Sequence, residues 1–193
     1  MGARAQAVAE TRQAVMRATI DRYVLSGIEG LTLDDIAEQA GVTVQTILRH
    51  FGSKEGLVTS TVEFARADIL RARRVEPAGD ARGAIKKLLA TYETFGELNW
   101  QLLRDEARDP TIHAVLMEAR ATHRSWLKQV FAAHLACRGS QRLQRVELLF
   151  AATDFYVWKL YRRDLAQSAA RTQQRIWDAV ESLCASFAAS DAP

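Results

Sequence analysis

The stretch from Leu31 to Phe51 constrains this chain more than any other. Thr32 stands where it can cap a helix. Asp35, three residues on, gives a variant of the capping box and puts acid in the first turn. Ala40-Gly41 ends that helix, and Gly41 supplies the tolerance of positive φ that a tight turn needs. Thr43 is the cap of a second short helix, which runs to His50-Phe51 before Gly52-Ser53 break it. Ala37 is small where the second helix must approach. Ile36, Ala40, Val42 and Ile47 can hold the pair against the preceding helix, so the segment reads as a helix-turn-helix. The second helix keeps its other face polar, with Thr43, Gln45, Thr46 and Arg49. Such a helix fits a DNA major groove with its N-terminal residues on base edges. Glutamine can bond adenine bidentately, and a threonine or valine methyl can touch the thymine methyl. The same spacing also occurs in all-α proteins that bind no DNA.

The rest of the chain is helical by periodicity. Met16, Ile20, Tyr23 and Thr19 share a face over 12–26, with Gly27 as a stop. Ser53 caps a helix over 54–74, and Glu76-Pro77-Ala78-Gly79-Asp80 is the clearest break in the chain. Asp80 caps a helix over 81–96, with a short one at 98–107. Asp109-Pro110 opens another over 110–136. Ser140 starts a helix to about Tyr161, and Ser168 the last one, whose alanine-rich end after Phe187 is expected to fray. No segment has strand periodicity, and no internal repeat or low-complexity tract stands out. Three prolines and ten glycines agree with an all-α chain.

At 193 residues, 48% hydrophobic and 25% charged, the chain has the composition of one large or two small globular domains. Cys137 and Cys184 are too few for a disulfide scaffold or a four-ligand zinc site, and read as buried reduced thiols of a cytosolic protein. His113, His123 and His134 lack ligand spacing, so no metal is expected. The N-terminus carries no apolar run of the signal-peptide kind. Leu148 to Leu160 is interrupted by Thr153, Asp154 and Lys159, and reads as a buried or interface helix rather than a membrane span. The net charge of +3 lies outside the helix-turn-helix: residues 1–60 hold six basic and seven acidic side chains. Few phosphate contacts are therefore expected, and a shallow salt dependence of DNA binding.

Two runs carry a family resemblance: Thr32-Leu33-Asp34-Asp35-Ile36-Ala37-Glu38-Gln39-Ala40-Gly41-Val42-Thr43, and Thr46-Ile47-Leu48-Arg49-His50-Phe51-Gly52-Ser53-Lys54-Glu55-Gly56-Leu57. They resemble the signature of the TetR family of bacterial transcriptional regulators, over about residues 12–60. The His-Phe-x-x-Lys-Glu-x-Leu tail is the most diagnostic piece, because a generic helix-turn-helix does not require it. The resemblance implies an N-terminal three-helix DNA-binding domain over 1–53. An α-helical ligand-binding and dimerisation domain over 54–193 would follow, with a connecting helix at about 54–74 and a linker at about 75–80. It implies a cytoplasmic homodimer on a near-palindromic operator in double-stranded DNA, and no cofactor. A small-molecule effector of unknown identity would release it. Carried over by position, Thr32, Thr43 and His50 are phosphate contacts. Val44, Gln45 and Thr46 are base-edge contacts, and Lys54 anchors the backbone at a helix N-terminus. The family often has Tyr where this chain has Leu48; that contact is lost, and Arg49 is the substitute. Arg4 and Arg12 are either an arm to a groove or phosphate, or solvated surface residues.

Beyond Asp80 the chain holds all four tryptophans, at 100, 126, 158 and 177. Aromatics at helical spacing are usually core. An effector pocket would nonetheless be apolar with few polar groups, and Tyr92, Phe95, Trp100, Leu103, Met117 and Trp126 are its lining candidates. Asp154, inside an apolar run, needs a partner if buried: across a dimer interface, on a basic side chain of its own subunit, or on an effector. The dimer contact implied by the family is the pair of helices at about 140–161 and 168–187, two from each subunit forming a four-helix bundle. No Gly-rich phosphate loop, Gly-x-Ser-x-Gly or His-Glu-x-x-His is present. The competing readings are an all-α carrier or enzyme whose helix-turn-helix is non-functional, and a dimeric interaction protein.

Overall fold

The computed structural model describes residues 2–72 and 80–190. Among them every regular element is helical: α1 (Ala3–Ser26), α2 (Leu33–Ala40), α3 (Val44–Phe51), α4 (Lys54–Ala72), α5 (Ala81–Asp105), α6 (Pro110–Val130), α7 (Gly139–Thr153), α8 (Phe155–Lys159) and α9 (Ala169–Ser190). A 3-10 turn at Ala132–Leu135 and a π-helical turn at Leu160–Asp164 complete the set. The expected interruption at 76–79 and the expected helix's last residues, Arg73 and Arg74, lie outside the described residues.

Two compact units result, one from Met1–Leu70 with Trp100–Val115, the other from Arg71–Asn99 with Leu116–Pro193. In the first, Val15, Met16, Ala18 and Tyr23 of α1 pack with Leu31, Ile36, Ala37, Ile47, Phe51 and Leu57, all buried. Helix α1 begins nine residues before the periodic apolar face does, so its first turns are exposed. Arg22 pairs with Asp35 at 2.9 Å and Gln39 donates to Asp21 at 3.0 Å, tying α1 to α2. At the C-terminal end of α5, buried Asp105 accepts from the Ile28 backbone N–H at 3.1 Å and from Gln101 Nε2 at 3.1 Å. That fixes the turn that follows α1.

In the second unit Ile85, Leu88, Leu89, Tyr92, Leu127, Phe131, Leu149, Trp158, Ile176 and Val180 form the core. Arg145 is 3% exposed and works as a core connector. Its guanidinium donates to the His134 carbonyl at 3.0 Å and the Phe187 carbonyl at 3.1 Å, so two helix-end acceptors are satisfied by one side chain. Gly96 sits against Trp158, where a Cβ would lie 2.7 Å from the indole ring.

Three helix boundaries depart from the periodicity. The expected helices 81–96 and 98–107 are one element, α5, kinked at Phe95 (φ −111°, ψ 16°). The expected helix 110–136 ends at Val130 and tightens into the 3-10 turn. The expected continuous helix 140–161 is broken at Asp154, whose ψ of 152° is extended. Its carboxylate accepts the Tyr156 N–H at 2.9 Å, and the Thr153 hydroxyl bonds back to the Leu149 carbonyl at 2.7 Å. Short polar side chains that bond neighbouring backbone compete with the helix ladder. Asp154 therefore starts a helix rather than riding inside one.

Candidate nucleic-acid interface

Helices α2 and α3 owe their start points to two threonines. The Thr32 hydroxyl accepts the Asp35 N–H at 3.2 Å and donates to the Asp35 carboxylate at 2.7 Å. That bond first, and Arg22 second, hold the Asp35 carboxyl below its ordinary range. The Thr43 hydroxyl accepts the Thr46 N–H at 3.2 Å and lies 3.0 Å from the Thr46 hydroxyl. Each such cap contributes about 1 kcal/mol to its helix. Between the helices Gly41 takes the left-handed conformation (φ 66°, ψ 34°), as a tight turn requires.

Ile47 and Phe51 anchor α3 from below, with Ile47 fully buried. Above them Gln45, Leu48 and Arg49 are exposed, while Val44, Thr46 and His50 are half-buried. Among the described residues the Gln45 and Arg49 side chains form no hydrogen bond or ion pair within the protein. Lys54 is half-buried as the first residue of α4, whose first turn is capped by Ser53 accepting the Gly56 N–H at 3.1 Å. The eight candidate residues thus lie at the N-termini of α2, α3 and α4 and along α3.

Arg12 performs neither role expected for it. Its guanidinium donates to the His50 carbonyl and lies 4.3 Å from the centre of the Phe51 ring. It satisfies a carbonyl of the last turn of α3 and locks that helix to α1. This contact joins residues 38 apart and has no local signal in the sequence. Arg4 is exposed on the first turns of α1.

Residues 16–61 match the profile of the bacterial regulatory proteins of the tetR family. Over these residues the chain is similar to the TetR family. It is 26% identical over 143 residues to the transcriptional regulator TcmR of Streptomyces glaucescens, a match covering 68% of this chain and 63% of TcmR. It is 35% identical over 92 residues to the regulator TtgR of Pseudomonas putida, covering 46% of this chain and 43% of TtgR. The matches thus span less than two thirds of either curated relative. A solved transcriptional regulator from Rhodococcus shares the fold with TM-score 0.70 at 18% identity, covering 89% of this chain and 95% of its own. Both curated relatives carry the name of HTH-type transcriptional regulators.

The residues that the family resemblance offers as effector contacts fall partly in each unit. Trp100 and Leu103 are half-buried in the first. In the second, Tyr92 is buried and donates to the Thr153 carbonyl at 3.1 Å. His123 Nε2 lies 2.9 Å from the Thr153 hydroxyl, and Trp126 stacks on His123 at 5.6 Å between ring centres. Tyr92 and Trp126 are thereby joined through His123 and Thr153, two residues the sequence did not place among the effector candidates. Phe150 meets His123 edge-on at 5.1 Å. The Trp126 indole nitrogen is buried with no hydrogen-bond partner among the described residues. Phe95 is half-buried at the kink of α5, and Met117 is 52% exposed. Asp154 is half-buried; burial raises its carboxyl pKa, against the opposing pull of the Tyr156 N–H and Arg120. No described helix is long and apolar enough to cross a membrane.

Proposed function

We propose that this protein is a sequence-specific repressor that leaves its operator when a small molecule binds. Residues 1–53 read the DNA, and residues 54–193 sense and dimerise. The observation that carries the reading is the exposed and unpaired side chains of Gln45 and Arg49 on α3, a helix fixed from beneath by Ile47 and Phe51. A rigid helix with free polar groups on its outer face suits major-groove readout. Gln45, with Val44 and Thr46 beside it, meets base edges. Thr32, Thr43, Arg49, His50 and Lys54 meet phosphates, the threonines exchanging their internal hydroxyl bonds for phosphate oxygens.

The protein acts in the cytoplasm as a homodimer through about 140–161 and 168–187, on a near-palindromic site. The exposure of Leu143, Leu148, Tyr156 and Leu160 on that surface supports this. The effector engages the aromatic group of Tyr92, Phe95 and Trp126 with Met117 and Asp154, all within the second unit. The buried Trp126 N–H, with no described partner, is a donor that a ligand acceptor would satisfy. Selection from random duplexes followed by footprinting tests the reading. A protected palindrome, with two-fold related half-sites one helical turn apart or a multiple of it, is expected. Binding that selects no sequence at low salt would overturn it.

A further inference from the structure

Leu48 lies on the reading helix and is 40% exposed, between the exposed Gln45 and Arg49 in the sequence of α3. It is three positions on from Gln45, about 60° round the helix axis from it. Side chains at that spacing are neighbours, with Cβ atoms about 5–6 Å apart. The buried anchors of α3 are Ile47 and Phe51, so Leu48 contributes little to holding the helix. Its isobutyl group cannot bond a phosphate oxygen, which removes it from the backbone contacts made around it. In a major groove the apolar feature of a base edge is the C5-methyl of thymine. An A·T pair shows that methyl on the same edge as the adenine N6 and N7 that a glutamine bonds, and successive pairs rise about 3.4 Å.

We propose that Leu48 is a specificity-determining residue that packs on a thymine methyl, in the base pair read by Gln45 or the one next to it. The two side chains read one A·T-containing step as a unit, Gln45 by hydrogen bonds and Leu48 by contact. This rests on DNA reading by α3, and it replaces a phosphate contact by a base contact at the position.

The test uses the full-length protein and duplexes selected by it from a random pool. Thymines of the selected half-site are replaced one at a time by deoxyuridine, which removes only the methyl. One position per half-site should weaken wild-type binding about fourfold, the value of one buried methyl group. Leu48→Ala should bind thymine and deoxyuridine alike at that position. Gln45→Ala should keep the thymine preference while losing preference for the adenine. Indifference of the wild type to every replacement overturns the proposal, as does an unchanged thymine preference in Leu48→Ala. Equal weakening of all duplexes by Leu48→Ala, with the methyl effect intact, would assign Leu48 to the backbone instead. Failure to select any sequence would remove the DNA-reading function itself, a different outcome from these.

Discussion

The reading helix and the region around Trp158 are held in different ways. Around α3 the start-setting bonds are local: Thr32 to Asp35 and Thr43 to Thr46 each span three residues. Around Trp158 the local cap at Asp154 is joined by distant bonds. The Trp158 indole N–H donates to Glu93 at 2.9 Å across 65 residues, and Arg162 grips the same carboxylate through two nitrogens at 2.7 and 2.9 Å. Local bonds fix where a helix begins whatever lies elsewhere in the chain. Distant bonds form only once the fold exists. The first arrangement suits a surface that must present the same groups to every operator. The second couples helices, which suits the ligand-responsive role proposed for that unit.

The largest effect that sharpens this contrast is expected at Trp158, which is 2% exposed and touches Gly96, Tyr92 and Phe155. Trp158→Ala should cost about 3–5 kcal/mol of stability, read by denaturant unfolding. If the head is independently specified, base preference at low temperature should survive the change. Loss of base preference in a still-folded variant would break the contrast.

A smaller effect is expected at the turn of the head. Gly41 has φ 66°, and space around a Cβ there is open, so the demand is conformational alone. Gly41→Ala should cost about 1–2 kcal/mol, and Gly41→Asn markedly less, since Asn tolerates that conformation. Equal costs would mean that crowding, not backbone conformation, sets the residue. Thr43→Ala should cost about 1 kcal/mol through the lost cap, seen as weaker amide protection in α3 with α9 unchanged.

The smallest effect is a pH dependence of the second unit. Arg162 first, and the Trp158 N–H with it, hold the Glu93 carboxyl below its ordinary 4.5. A lowered folded value means the contribution is present above the unfolded pKa and is lost as pH falls through the folded one. Glu93→Gln should therefore flatten the acid limb of the stability curve while changing neutral stability by less than about 1 kcal/mol, since the pair is largely solvated. A steeper acid limb in the variant would contradict the pairing.

The same contrast sets what the sequence revealed. The starts of α2 and α3, the turn at Gly41 and the cap at Ser53 were readable because each depends on residues three or four apart. The break at Asp154 was missed because hydrophobic periodicity runs straight through Phe150 to Trp158. Only the side-chain bonds of Thr153 and Asp154 to nearby backbone interrupt the ladder. The kink at Phe95 has no proline or glycine pair at the residue itself, although Gly96 follows and admits the Trp158 ring. Arg12 read as a free cation because its acceptor, the His50 carbonyl, exists only after α3 docks on α1. In the candidate sensing group, Tyr92 and Trp126 were visible as aromatics. His123 and Thr153, which join them, were not, because polar residues inside helices carry no periodic signal. The net charge is no guide to the head, because its excess lies outside residues 1–60, whose cations are few and individually placed.

The central claim is that placed groups on α3, rather than bulk charge, read the DNA. Binding of Gln45→Ala and Lys54→Ala to a selected duplex and to an unrelated one, across a salt series, tests it most directly. Gln45→Ala should lose about 1–3 kcal/mol on the selected duplex alone. Lys54→Ala should weaken both duplexes alike and reduce the salt slope by about 1 per subunit. Uniform weakening by Gln45→Ala, with sequence-selective loss by Lys54→Ala, would contradict the account.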